Sequence, residues 1–207
     1  KAALSAPGKK LVTMMWANNE TGVIFPIKEC AELAKAAGAY FHTDAVQAMG
    51  KLSEVNMAEV PADMLSLSGH KLHAPKGVGA LYVKNGIEFT KFIDGGHQEK
   101  DKRAGTENVA GIVGLGKAIE IAYNNVDKYN EKLTKLRDYF ILQVEEKIAD
   151  VKLNGHRKNR LPGNSNFSFK GINGPFVAII ILYLFSYRYL ITFNASGLET
   201  TFSFIPS

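Results

Sequence analysis

Ser66–Lys71 reads S-L-S-G-H-K. The short apolar segment Met64–Leu67 runs into Ser68, Gly69, His70 and Lys71, the order of a buried strand that ends in a tight polar turn. In open α/β sheets, chemistry collects at the carboxyl ends of the strands. A lysine at such an edge is ordinarily a solvated surface group. Here a hydroxyl and an imidazole lie within three residues of the amine, with Gly69 between them to let the backbone approach a ligand closely. Ser68 and His70 suit a phosphate, and Lys71 is a nucleophilic amine able to form a Schiff base.

Working outward, Leu11–Ala17 is an apolar strand candidate, broken by the turn chemistry of Asn18, Asn19, Glu20, Thr21 and Gly22. Pro26 opens a helix whose stripe is Ile27, Cys30, Ala31 and Ala34, with Gly38 placed to end it. Cys30 is therefore expected to be a small buried side chain rather than a catalytic thiol. Ala39–Thr43 is the next strand, with Asp44 just past its end; His42 reads as a strand residue. Strand, helix, strand is a βαβ unit and implies a parallel sheet. After Met64–Ser68 come a tight loop with Pro75, Gly77 and Gly79, which leaves His73 as exposed loop material, and a short strand at Ala80–Val83. A flexible loop is expected at Gly95–Gln98 and a helix from near Val109, with Thr106 as a cap or a phosphate contact at its start. Asn124–Asn125 reads as a break, followed by a long striped helix through Tyr129, Leu133, Leu136, Phe140, Val144 and Ile148. Val151–Leu153 and Asn166–Phe169 are strand candidates.

Ser66–Gly79, S-L-S-G-H-K-L-H-A-P-K-G-V-G, resembles the pyridoxal phosphate (PLP) lysine segment of group I cysteine desulfurases, the NifS/IscS-like branch of the class V aminotransferases. Three further segments match that family: N-N-E-T-G at Asn18–Gly22, H-T-D-A-V-Q at His42–Gln47 and R-A-G-T-E-N at Arg103–Asn108. The resemblance implies an α/β fold: part of a fold-type I PLP-dependent large domain, a mostly parallel sheet with flanking helices, plus part of a smaller α+β C-terminal domain. Residues 1–124 would belong to the large domain with a linker helix, 125–174 to the small domain, and 175–207 form a divergent apolar tail. It further implies that Lys71 is the catalytic lysine that holds PLP. Asp44 would pair with the protonated pyridine nitrogen, and Gln47 and Asn19 would lie at the phenolic oxygen. Ser68 and His70 would lie at the phosphate, and Thr106 would reach the phosphate of the neighbouring subunit in a homodimer. The implied reaction converts L-cysteine to alanine and leaves a protein persulfide for a sulfur acceptor or scaffold of iron–sulfur cluster assembly. No metal-ligating set is implied in this chain. A selenocysteine lyase, an aminotransferase and a non-catalytic remnant are the competing readings.

Composition agrees with an ordinary globular protein, 46% hydrophobic and 22% charged over 207 residues. The net charge of +5 comes without basic runs interleaved with aromatics, which argues against nucleic acid. The single Cys30 rules out an internal disulfide framework, fits a reducing, cytoplasmic setting and leaves no second thiol for a desulfurase. The chain begins at Lys1, as a fragment would, and shows no signal peptide. The resemblance spans about Leu11 to Gly174. Beyond it, the apolar run Phe176–Phe193 admits a spanning helix, a buried β segment or translation from a shifted reading frame. Arg188 within it argues against membrane insertion. Without the family's cysteine-bearing loop, the chain by itself is expected to be inactive.

Overall fold

A computed structural model describes residues 2–171, 178–181, 189–195 and 198–204. The chain divides into two compact units. The first comprises residues 1–16, 26–50 and 54–124, and the second 17–25, 51–53 and 125–207.

The first unit is built on a four-stranded sheet in the order β1 (Leu11–Met15), β2 (Tyr40–Asp44), β3 (Met64–Ser68), β4 (Gly79–Val83). The first three run parallel and β4 is antiparallel to β3. Helix α1 (Ile27–Ala36) connects β1 to β2 and buries Ile27, Ala31 and Ala34. Phe41, Thr43 and Leu65 are the sheet's most buried side chains. Cys30, expected to be buried, is only half-buried, because it sits at the margin of the α1 stripe. Gly38 ends α1 as expected. With φ +65° it donates its N–H to Lys35 O at 3.0 Å, and Ala39 donates to Ala34 O at 2.9 Å, the paired bonds of a Schellman motif.

Residues 95–97 are loop, as expected, and lead into one short turn, Gln98–Asp101, whose Glu99, Lys100 and Asp101 all have positive φ. Helix α2 (Val109–Lys147) is continuous. The break expected at Asn124–Asn125 is absent, since two asparagines lower helix propensity only modestly and the backbone ladder runs through them.

The second unit holds an antiparallel sheet of β5 (Val151–Leu153), β6 (Asn164–Phe169) and β7 (Ala178–Ile181). Phe167 is fully buried and meets Phe140 edge-on at 6.0 Å. β6 starts two residues earlier than its apolar pattern suggests, because Asn164 and Ser165 pair with Ile181 and Ile180 of β7. A two-stranded ladder joins β8 (Tyr189–Ala195) to β9 (Leu198–Phe204). The described parts of the apolar run are therefore strand, and no helix among the described residues is long and apolar enough to cross a membrane. Residues 176–177 and 182–188, Arg188 included, lie outside the described residues.

Candidate active site

The turn that carries Lys71 is pinned from both sides. Ser68 closes the β3–β4 ladder opposite Gly79, and the chain then makes a single 3-10 turn, Gly69–Leu72. Gly69 donates to Val78 O at 2.9 Å and accepts from Ala74 N at 3.0 Å. A Cβ on Gly69 would lie 2.8 Å from Val78 O and 2.9 Å from Val78 Cγ1. The glycine thus makes room for the returning loop, not for a ligand as its position suggested. Leu72 is buried, and His73, exposed as expected, adopts φ +64° to leave the turn. Lys71 stands between the exposed His70 and the buried Leu72, is itself half-buried, and no described residue pairs with its amine. Beside it Ser68 Oγ and His70 Nδ1 are hydrogen-bonded at 2.8 Å.

Asp44 is the last residue of β2, in register with Ser66 of β3. Because these strands are parallel, Asp44 and the Lys71 turn lie at the same carboxyl edge. Asp44 Oδ1 accepts from Val46 N at 2.9 Å, which opens the turn that carries the half-buried Gln47. Two residues back on the same face, His42 joins three strands: its Nδ1 is 2.7 Å from Thr13 Oγ1 and its Nε2 is 3.1 Å from Ser66 Oγ. It is the strand residue it was expected to be.

Thr106 is exposed and makes no described contact with the Lys71 edge. It does not cap α2. Asn108 does, its Oδ1 accepting from Gly111 N at 3.0 Å, because the cap must stand three residues before the N–H it satisfies. Asn19 belongs to the second unit, with its side chain exposed and bonded to no described residue. Its neighbour Asn18 staples the loop from inside: Oδ1 accepts from Glu20 N at 3.0 Å, Thr21 N at 2.8 Å and Thr21 Oγ1 at 3.0 Å. No site role was expected for the segment R-L-P-G-N-S-N at residues 160–166, yet Arg160, Asn164 and Asn166 bond to the Asn18–Gly22 backbone through their side chains. Its only local signal was a cluster of Asn, Pro and Gly, which reads as turn.

A mostly parallel sheet with a half-buried lysine on a turn at its carboxyl edge fits the class of fold-type I, PLP-dependent proteins. The model of the class-V aminotransferases matches residues 1–182, and the chain belongs to that family, whose cofactor is PLP. The match runs beyond the Leu11–Gly174 span that the motifs suggested. The chain is 55% identical over 169 residues to a cysteine desulfurase IscS of Dictyoglomus turgidum, an alignment covering 82% of this chain and 43% of that protein. It thus spans less than half the length of the curated relatives it matches. A NifS-like protein from Rickettsia africae superposes with a TM-score of 0.78 at 32% identity, over 82% of this chain and 47% of that one. SspA, solved in complex with cysteine, superposes with a TM-score of 0.64 at 34% identity, over 80% and 45% of the two chains. The donor set fits PLP in kind: a primary amine for its aldehyde, a hydroxyl–imidazole pair for its phosphate and a carboxylate for its ring nitrogen.

Proposed function

We propose that this chain carries the lysine-bearing part of a PLP-dependent cysteine desulfurase, acting on L-cysteine and passing its sulfur on for iron–sulfur cluster assembly. The observation that carries the reading is the edge itself: an unpaired Lys71 amine one strand away from the Asp44 carboxylate. The 55% identity to a protein named cysteine desulfurase supports the choice of substrate.

Bound PLP supplies an electron-poor ring that accepts charge from the substrate α-carbon. Lys71 would attach to the cofactor aldehyde and, once displaced by the substrate amine, move the α-proton through the same nitrogen. Asp44 would keep the ring nitrogen protonated, and Gln47 and Asn19 would donate to the phenolic oxygen. Ser68 and His70 would bind the phosphate, and their mutual bond orders both before the ligand arrives. Thr106, exposed at the head of α2, would donate to the phosphate of a second subunit, which makes the working enzyme a homodimer.

The test is reductive trapping. The purified chain, incubated with PLP and borohydride, should carry a stable adduct on the tryptic peptide containing Lys71 and lose it in Lys71→Ala. An adduct elsewhere, or unchanged labelling of the variant, refutes the assignment.

A further inference from the structure

We infer that Arg160, Asn164 and Asn166 form a clamp that grips the Asn18–Gly22 loop by its backbone, making them positioning residues that hold the Asn19 amide fixed and outward. The cofactor role of Asn19 rests on the function proposed above; the clamp rests on geometry alone.

Four successive carbonyls of the loop are held from this one segment. Asn19 O accepts from Asn164 Nδ2 at 3.4 Å, and Glu20 O accepts from Asn164 Nδ2 and Asn166 Nδ2, each at 3.1 Å. Thr21 O accepts from Arg160 Nη2 at 2.7 Å, and Gly22 O from Leu161 N at 2.8 Å. Beyond the loop Ile24 N donates to Asn159 O at 3.0 Å. Gly22 is required for the grip: its φ is +76°, and a Cβ there would lie 2.5 Å from Asn164 Oδ1. With the backbone bonded residue by residue and Asn18 stapling the interior, the side chains of Asn19 and Glu20 are left exposed and unbonded to any described residue, and of the two only Asn19 carries an amide donor.

The chemistry of the clamp is costly for mere packing. Arg160 is 2% exposed, yet its Nε and Nη1 have no partner among the described residues, and it forms no ion pair with a carboxylate among them. Burial pushes its guanidinium below its usual pKa, with the Arg137 charge adding to the effect. Asn164 Oδ1 is likewise buried without a described partner. Groups so placed weaken a core. Arg160 Nη2 also donates to Asn154 O at 2.7 Å, and the remaining side-chain bonds of Arg160 and Asn164 go to the loop.

Asn164→Leu removes the donor together with the unpaired acceptor at similar volume. In the 207-residue chain we expect its melting temperature to stay near that of the parent. The amides of Glu20, Thr21 and Gly22 should exchange about five- to tenfold faster, the worth of one hydrogen bond, while β2 amides are unchanged. PLP affinity, read by absorbance titration, should weaken by a similar factor in the parent background and not at all in Asn19→Ala. Asn166→Ala should repeat the exchange result. Unchanged exchange at Glu20–Gly22 in both variants overturns the clamp. An equal loss of PLP affinity with and without Asn19 overturns the positioning role. If neither parent nor variants bind PLP, the proposed function fails, and the positioning of Asn19 for PLP falls with it. The exchange data then still support or overturn the clamp.

Discussion

A methyl group on Gly69 would meet the Val78 carbonyl oxygen at 2.8 Å, whereas one on Gly38 would meet nothing within 4 Å. The two glycines therefore do different work. Gly38 supplies a backbone conformation, φ +65°, and Gly69 supplies space. Gly38→Ala should cost about 1 kcal/mol, the penalty of a side chain in the left-handed region. Gly69→Ala should cost about 1–3 kcal/mol, since β3 or the Val78 loop must shift. It should also weaken PLP binding, because Lys71 is two residues away. Urea denaturation of both variants checks this, and a smaller loss for Gly69→Ala than for Gly38→Ala would contradict the distinction. The need for glycine beside Lys71 was legible in S-L-S-G-H-K, but its cause was not. A loop returning from Val78 is a contact that local sequence does not display.

At the scale of elements, β6 and α2 show where periodicity misleads. Asn164 and Ser165 look like turn residues, yet with Asn166 they are buried in a strand, because β7 pairs with their backbone and the Asn18–Gly22 loop takes up the asparagine amides. α2 is tied to the segment after β5 by a two-pronged bond, Arg157 Nη1 and Nη2 to Glu145 Oε1 and Oε2 at 2.7 and 2.6 Å. The Arg157 hydrogen bonds hold the Glu145 carboxyl below its usual 4.5, with burial opposing them. A depressed carboxylate contributes stability above its unfolded pKa and loses it as pH falls through the lower folded value. Acidification from about pH 5 to about pH 3 should therefore destabilise the parent chain more than Arg157→Gln. Parallel melting curves against pH would discount the bridge. The effect should be small, since the Arg157 side chain is 60% exposed.

Within the first unit, one face of the four-stranded sheet carries exposed apolar side chains. Leu11 and Tyr40, paired across β1 and β2, are 60% and 45% exposed, and Leu81 of β4 is 52% exposed. An apolar face of this kind drives association. Sedimentation should show the 207-residue chain to be larger than a monomer at micromolar concentration, and Leu11→Lys with Leu81→Lys should reverse this; a strictly monomeric parent would refute it. The same chain should release no alanine from L-cysteine above a no-enzyme control, because Cys30, its single cysteine, lies within α1 half-buried and is no candidate for a mobile nucleophile. Alanine formation by the purified chain would sink that expectation.

The βαβ order, the mostly parallel sheet, the lysine turn at its edge and the family were legible in the sequence, because each is written in short-range patterns: apolar runs, turn residues and motifs a few positions long. Two things came only from the folded chain: the loop that crowds Gly69, and the attachment of Asn18–Gly22 to a segment about 140 residues later. The physical reason is common to both. Each depends on which backbone groups remain unsatisfied after local structure has formed, and on what the fold brings within hydrogen-bond reach of them.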